Sequence, residues 1–434
     1  MSQTALQPGS APAPTTAPPQ VQAADQVAKP TSTTTTPVRQ TPQQLRGLSL
    51  GLVVIGIVVG LVGALTFSYL AYSLSRAEAD TTQLIRVQTI QTNLLSADAT
   101  ATNAFLVGGL EPATQREAYD QAISSTSALI AEAARAQPAD AEALAALNQE
   151  VVAYAATIEQ ARANNRQGFP VGSQYLRSAS ADLRVSALPI LDLLVSTNAE
   201  RAADEMDLRP GYLFVVVALL GLVAIVLAHQ WLARRFRRRI NVGVLAGAIL
   251  LLAGLLGGFA MVQQSGSAVT AVREGSFADV NAGAEARIEA NNAKASESLT
   301  LIARGSGSAF EQAWVASADK VRTNLGLLGD ADLPTLWTAY TDTHTEIREL
   351  DDGGSWDKAV ATATGTDDAS ANTTFNAFDA ELATYLDGVS TSTATALGDR
   401  QPGLVIAAVF TLLAGVGAGL LGRWGVAARL KEYR

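Results

Sequence analysis

Four stretches of the chain, residues 47–75, 210–233, 240–272 and 401–422, contain no Asp, Glu, Lys or Arg. A helix rising about 1.5 Å per residue needs roughly 20 apolar residues to cross about 30 Å of hydrocarbon, so each stretch predicts a membrane span. The segments between the spans are polar, yet their apolar residues recur at helical spacing. Val87, Ile90, Leu94, Ala97, Ala101 and Ala104 or Phe105 step by three and four, as do Phe277, Val280, Ala284, Ile288, Asn291, Ala295 and Ile302. That spacing predicts the coiled-coil-like seam of a helical bundle, and strand patterns are nearly absent. Breakers at Gly108-Gly109, Gln137-Pro138 and 168–172, then at Gly305, Gly307, Pro334, 351–354 and Gly365, divide each polar segment into about four helices. The first helix is expected to run out of one span and the last into the next.

The two polar segments are nearly equal in length and are bracketed by spans of the same direction. Ala118-Tyr119 and Ala313-Trp314 lie 195 positions apart, close to the 193 that separate Leu48 from Asn241. This predicts a parallel duplication of a unit of span, bundle and span. The fold class expected is an all-α membrane protein with four transmembrane helices, two tandem extracytoplasmic helical bundles and a disordered N-terminal tail. In order these are a cytoplasmic tail (1–46), a span (47–72), the first bundle (73–209), a span (210–233), an Arg-rich connector (234–239), a span (240–263), the second bundle (264–400), a span (401–422) and a cytoplasmic tail (423–434).

Charge sets the direction of the spans, because cationic loops are retained on the cytoplasmic side. Arg234, Arg235, Arg237, Arg238 and Arg239 follow the second span, and Arg423, Arg429, Lys431 and Arg434 follow the fourth. The segment between the first two spans holds 17 acidic against 10 basic residues, and that between the last two holds 21 against 9. Both therefore belong outside, with the two termini in the cytoplasm of a multi-pass plasma-membrane protein. The net charge of −9 conceals this polarity and gives no reason to expect nucleic acid. The first span starts too late for a cleaved signal and reads as a signal-anchor. With no cysteine, the bundles must be held by packing, and thiol chemistry is excluded.

Catalytic chemistry finds no constellation. The two histidines, His229 in the second span and His344 in the second bundle, fall in different compartments, so neither a paired-His metal site nor a triad can form. Residues 305–308 lack the Lys of a phosphate loop, and 351–357 depart from EF-hand spacing; both read as turns. No enzyme activity, cofactor or metal is expected. The spans carry no Asp, Glu, Lys or Arg, which argues against a transport path. Glycines at 56, 60 and 63, at 254, 257 and 258, and at 415, 417 and 419 would let helices approach closely.

Polar residues near the bundle seams are the candidates for partner or ligand contact: Asn93, Asp98 and Asn103 in the first bundle, Asn291, Asn292 and Glu297 in the second. A buried Asn more commonly fixes register. Trp314, Trp337 and Trp356 occur only in the second bundle, and Trp is enriched at interface hot spots, although core packing is expected to claim at least two of them. Cytoplasmic output would fall to Arg234, Arg235, Arg237, Arg238 and Arg239, to Trp424, Arg429 and Tyr433, and to the N-terminal tail, where Thr41 beside Arg39 is the candidate phosphosite.

The run Asn103-Ala104-Phe105-Leu106-Val107-Gly108-Gly109, followed by Glu117-Ala118-Tyr119-Asp120-Gln121-Ala122, resembles the start of the four-helix sensor domains of bacterial receptors, above all the CHASE3-like class. The second copy, with Leu301-Ile302-Ala303-Arg304-Gly305 and Trp314, is similar but departs more from that pattern. In layout, with two such units, an Arg-rich connector and no output domain, the chain resembles the GlnX family of actinobacterial membrane proteins. The resemblance implies a relay of amino-acid availability (Asp, Glu or Gln) from an extracytoplasmic solute-binding lipoprotein to a cytoplasmic Ser/Thr kinase. Apart from the resemblance, a homo-oligomer is a further candidate assembly. A cell-envelope scaffold and a direct small-molecule receptor are the alternatives.

Overall fold

The computed structural model describes residues 41–107, 111–168, 170–236 and 240–430. Thirteen α-helices run through them: α1 (Thr41–Val107), α2 (Ala113–Ala136), α3 (Ala141–Arg166), α4 (Val171–Asp182), α5 (Leu188–Glu205), α6 (Tyr212–Phe236), α7 (Val242–Glu274), α8 (Ser276–Ala303), α9 (Ser308–Leu325), α10 (Leu333–Asp352), α11 (Trp356–Thr364), α12 (Ala371–Gly398) and α13 (Gln401–Leu430). The described residues contain no strand.

Four helical rods are long and apolar enough to cross a membrane: Gln43–Val107, Val171–Phe236, Val242–Ala303 and Ala371–Ala428. Only α1 is unbroken, and its 67 residues extend about 100 Å. The expected continuity between span and bundle is interrupted in the other three rods. Pro210 leads through a 3₁₀ turn (Arg209–Gly211) into α6, Gly275 kinks the α7–α8 joint at φ −108°, ψ −108°, and a turn at Asp399 precedes Pro402 of α13. Proline has no N–H for the helical ladder and glycine tolerates the unusual ψ, so these residues mark the joints. At the other end, α1 begins at Thr41, within the segment expected to lack structure.

In the apolar layer α1 packs on α13 and α6, and α7 packs on α13 and α6, so the four spans close a ring. Glycines decide the α1–α13 crossing. A Cβ at Gly60 would lie 2.9 Å from the Leu412 carbonyl oxygen, and one at Gly415 would lie 2.5 Å from the Gly56 oxygen and the Gly60 backbone. Here the two backbones touch, as small residues permit. At the far edge of this layer Asn241 caps α7 by accepting from Val244 N (3.3 Å) and donates to the Gly425 oxygen (3.0 Å), tying α7 to α13.

Beyond the apolar layer stand two bundles. The distal half of α1 with α2, α3, α4 and α5 encloses one core, including Val87, Ile90, Leu94, Tyr119, Leu147, Tyr154, Leu176 and Leu191. Helices α8, α9, α10, α11 and α12 enclose the other, including Ala286, Ala290, Trp314, Trp337, Tyr340, Ile347 and Phe378. The cores interlock, since Ile288 of α8 joins the first and Leu106 of α1 joins the second. Helix α8 runs between its own bundle and α1, and nearly every residue from Ala282 to Leu301 is buried. Its Ala, Gly and Ser residues make this physically workable, because small side chains let three neighbours approach one helix at once.

Candidate functional site

Between Pro170 and Glu205 the chain forms one helical rod with a π turn at Leu183–Ala187. Pro189 follows and has no N–H to donate, which accounts for a locally widened ladder, and such turns frequently occur at functional sites. The π turn aims Arg184 at the boundary between the bundles. One guanidinium nitrogen donates to Asp98 Oδ2 (2.8 Å), and the other reaches Asn292 Oδ1 of α8 (3.3 Å). Asp98 is fully buried. It also accepts from Ser180 Oγ (2.7 Å) and from the Tyr154 hydroxyl (3.3 Å). Burial, followed by the Asp98 charge, pushes the Tyr154 hydroxyl well above its ordinary value, so Tyr154 remains a neutral donor.

Further hydrogen bonds join the two halves of the chain. Asn103 Oδ1 accepts from Gln115 (2.8 Å) in its own bundle and from Asn372 (3.0 Å) in the other, while its amide donates to the Ala363 oxygen (3.2 Å). Nearer the apolar layer, Gln88 donates to Asn281 (3.0 Å), and Gln401 donates to Glu78 (2.9 Å). Gln88 and Asn281 stand 193 positions apart on α1 and α8.

The second bundle holds a buried charged chain built on α8. Lys294 Nζ donates to Glu297 Oε1 (2.7 Å), whose other oxygen meets His344 Nδ1 (3.0 Å); His344 Nε2 meets Glu311 (3.3 Å), and Arg348 meets Glu311 in turn (3.4 Å). Burial opposes the charge of Glu297, yet Lys294 and His344 together hold it down to about 2. Burial likewise opposes a charged His344, but hydrogen bonds to the two glutamates overcome it and raise the imidazole above its ordinary value.

Several clefts open along the boundary among the described residues, and two of them border the contacts above. One, of about 260 Å³, lies between α1 and α2 on one side and α8 and α12 on the other, and is lined by Asn103, Gln115, Asn291, Lys294, Asn372 and Asp379. The second, of about 780 Å³, lies between α4 and the pair α8 and α9. The larger falls in the size range of small-molecule sites, about 300–1,000 Å³, and the smaller lies just below it.

The sequence candidates separate accordingly. Asp98, Asn103 and Asn292 meet at the boundary through the bonds above. Asn291 is buried and its amide returns to the Arg287 oxygen (2.9 Å) while it lines the smaller cleft. Asn93 is half-buried on α1. Trp314 and Trp337 are buried in the core of the second bundle, where neither offers a surface anchor to a partner. Half-buried Trp356 donates to the Leu301 oxygen (2.9 Å) and carries Arg304 over its ring at 3.9 Å, so it closes the end of α8. At the opposite end of the molecule, Arg234, Arg235 and Trp424 are exposed. Arg237, Arg238, Arg239, Tyr433 and the side chains of Thr41 and Arg429 lie outside the described residues, as does the segment 1–40.

Arg184, Arg177, Lys294 and the bonding of His344 were not reached from sequence. An Arg at helical spacing from Ser180 was the available signal for Arg184, but its partner Asp98 lies 86 positions earlier on a different helix.

Residues 73–207 match the family described as actinobacterial sensor domain. The matched segment comprises the distal half of α1 and the chain through α5, which is the first bundle. No curated protein and no solved structure matches the chain.

Proposed function

We propose that this chain is a non-enzymatic transmembrane relay, in which a signal received by the two bundles outside the cytoplasm is reported by contact at the cytoplasmic face. The match to a sensor domain supports a role in sensing. The observation that carries the relay is α1, which runs unbroken from Thr41 to Val107 and places its distal half at the boundary between the bundles. A shift of one bundle against the other has no flexible joint on this helix in which to dissipate. The contacts that would favour one arrangement over another, from Arg184 to Asn292 and from Asn372 to Asn103, lie on that same boundary. A ligand or docked partner moves such an equilibrium only through differential affinity for its two states.

The partners that fit are a solute-binding lipoprotein carrying Asp, Glu or Gln outside and a Ser/Thr kinase inside, read through Arg234, Arg235 and Trp424 and the adjoining cationic connector. The charge distribution supports cytoplasmic termini. Deleting residues 1–44 and neutralising the connector should each reduce kinase coupling, and full signalling by both variants would remove this output assignment. Capture of a solute-binding protein only when its amino acid is present favours the relay, whereas ligand-independent capture favours an envelope scaffold.

A further inference from the structure

The larger cleft has a lining of one electrostatic sign. Arg177 and Arg184 project into it from the rod that contains the π turn, and no Asp or Glu lines it. Arg184 is already shared with Asp98 and Asn292. Arg177 is not so engaged: it donates only to Ser173 O (3.4 Å) and Gln174 Oε1 (2.5 Å) of its own helix, and among the described residues no carboxylate pairs with it.

The first turns of two helices also border the cleft. Val171 and Gln174 of α4 line one side, and Ala309 and Phe310 of α9 line the other. Neither helix has a side-chain cap, since Pro170 and Gly307 occupy the cap positions. The leading N–H groups of a helix carry partial positive charge and bind anions when uncapped. Leu299, Phe310 and Tyr175 add apolar and aromatic side chains to the same lining.

We infer that this cleft binds a small organic carboxylate that carries an apolar body and no ammonium group. The carboxylate would take the open face of Arg177, a planar donor fork suited to it, and the apolar body would lie on Phe310 and Leu299. An ammonium would find no acidic partner in the lining, which separates this ligand from a free amino acid. Bridging α4 to α8 and α9, the ligand would bias one arrangement of the bundles over another. That consequence rests on the relay reading, but binding itself does not.

The test is calorimetric titration of the full chain in lipid nanodiscs with benzoate, benzyl alcohol and phenylalanine, repeated on Arg177→Ala and Phe310→Ala. Benzoate should saturate the wild type and bind Arg177→Ala about ten-fold more weakly, the fold-change of one lost charge-assisted bond. Phe310→Ala should weaken it too, and benzyl alcohol and phenylalanine should both bind more weakly than benzoate. Arg177 makes only local bonds, so its variant should keep the wild-type thermal midpoint, and Phe310→Ala provides an independent variant. Absence of saturable benzoate binding, equal binding of phenylalanine, or undiminished affinity in both variants would overturn the assignment. None of these readouts depends on signalling, so the relay stands or falls by its own test.

Discussion

The indole of Trp314 stacks on the imidazole of His344, with ring centroids 3.6 Å apart and planes 9° from parallel. The same imidazole lies between Glu297 and Glu311. A cation flanked by two carboxylates is stabilised by both, and a charged ring is also favoured over an aromatic face. The His344 value in the folded protein is raised, so its contribution to stability is complete below its ordinary 6.5 and is lost as pH rises through the folded value. Glu297 is depressed to about 2, so its contribution is present above its ordinary 4.5 and is lost as pH falls through about 2. The second bundle should therefore be most stable between about pH 4.5 and 6.5 and should weaken on the alkaline side. Thermal midpoints followed by Trp emission check this, and His344→Gln should flatten the alkaline limb. A wild-type midpoint that rises with alkaline pH would contradict it.

Asp98 to Ala should destabilise the first bundle. The carboxylate accepts from Arg184, Ser180 and Tyr154 with no exposure of its own, whereas the Arg184 side chain is 30% exposed. Breaking a buried pair costs about 3–5 kcal/mol, and solvent access to Arg184 places this case at or below the lower bound. Asp98→Asn retains an acceptor for Ser180 and should lose less. Hydrogen exchange in α3 and α4 reads the effect without relying on tryptophan, which the first bundle lacks. Unchanged protection in Asp98→Ala would show that the pair contributes nothing net.

Spans and bundle seams were legible because each is written locally. An absence of charge over the length of a membrane helix is visible in any window. The spacing of Val87, Ile90, Leu94, Ala97 and Ala101 placed on one face residues that are all buried. Helix α8 was less legible: Glu297 falls near the seam, but Glu289 and Lys294 fall outside the apolar spacing of this helix, and docking of its neighbours buries all three. Their burial is made tolerable by partners distant in sequence, Lys320 for Glu289 and His344 for Glu297. The Arg184 contacts depend likewise on how two bundles meet, which no single-helix pattern encodes.

Gly415→Val should separate two spans. The new Cβ would sit 2.5 Å from Gly56 O and from the Gly60 backbone, and a backbone cannot rotate away as a side chain can. Overpacking typically costs about 1–3 kcal/mol, and the rigid neighbours place this substitution at the upper end. Gly51→Ala is the control, since its Cβ would meet nothing within 4 Å. The thermal midpoint in nanodiscs should fall for Gly415→Val and hold for Gly51→Ala. Equal midpoints would mean that the α1–α13 contact is not close in solution.

Asn103→Ala should loosen the boundary while sparing both cores. Its oxygen accepts from Gln115 and Asn372, and its amide donates to the Ala363 oxygen, so truncation removes a partner from groups in two bundles at once, although Asn372 keeps the Thr364 oxygen (3.2 Å) and Ala363 keeps Lys294 (3.5 Å). Each buried group left unpaired costs about 1–3 kcal/mol unless water reaches it, and the adjoining cleft lets water do so at Asn372. The penalty therefore falls on the closed arrangement of the bundles rather than on folding. The chain lacks cysteine, so spin labels at Gln149→Cys and Glu381→Cys, both exposed and one in each bundle, report a single distance. That distance should broaden in Asn103→Ala, with little change in the thermal midpoint of either bundle. An unchanged distribution would mean that Arg184, Gln88 and the interlocked Ile288 and Leu106 hold the boundary without Asn103. In the relay proposed above, coupling to a cytoplasmic kinase should shift with the distance, because a relay that works by biasing two arrangements must respond when one of them is weakened.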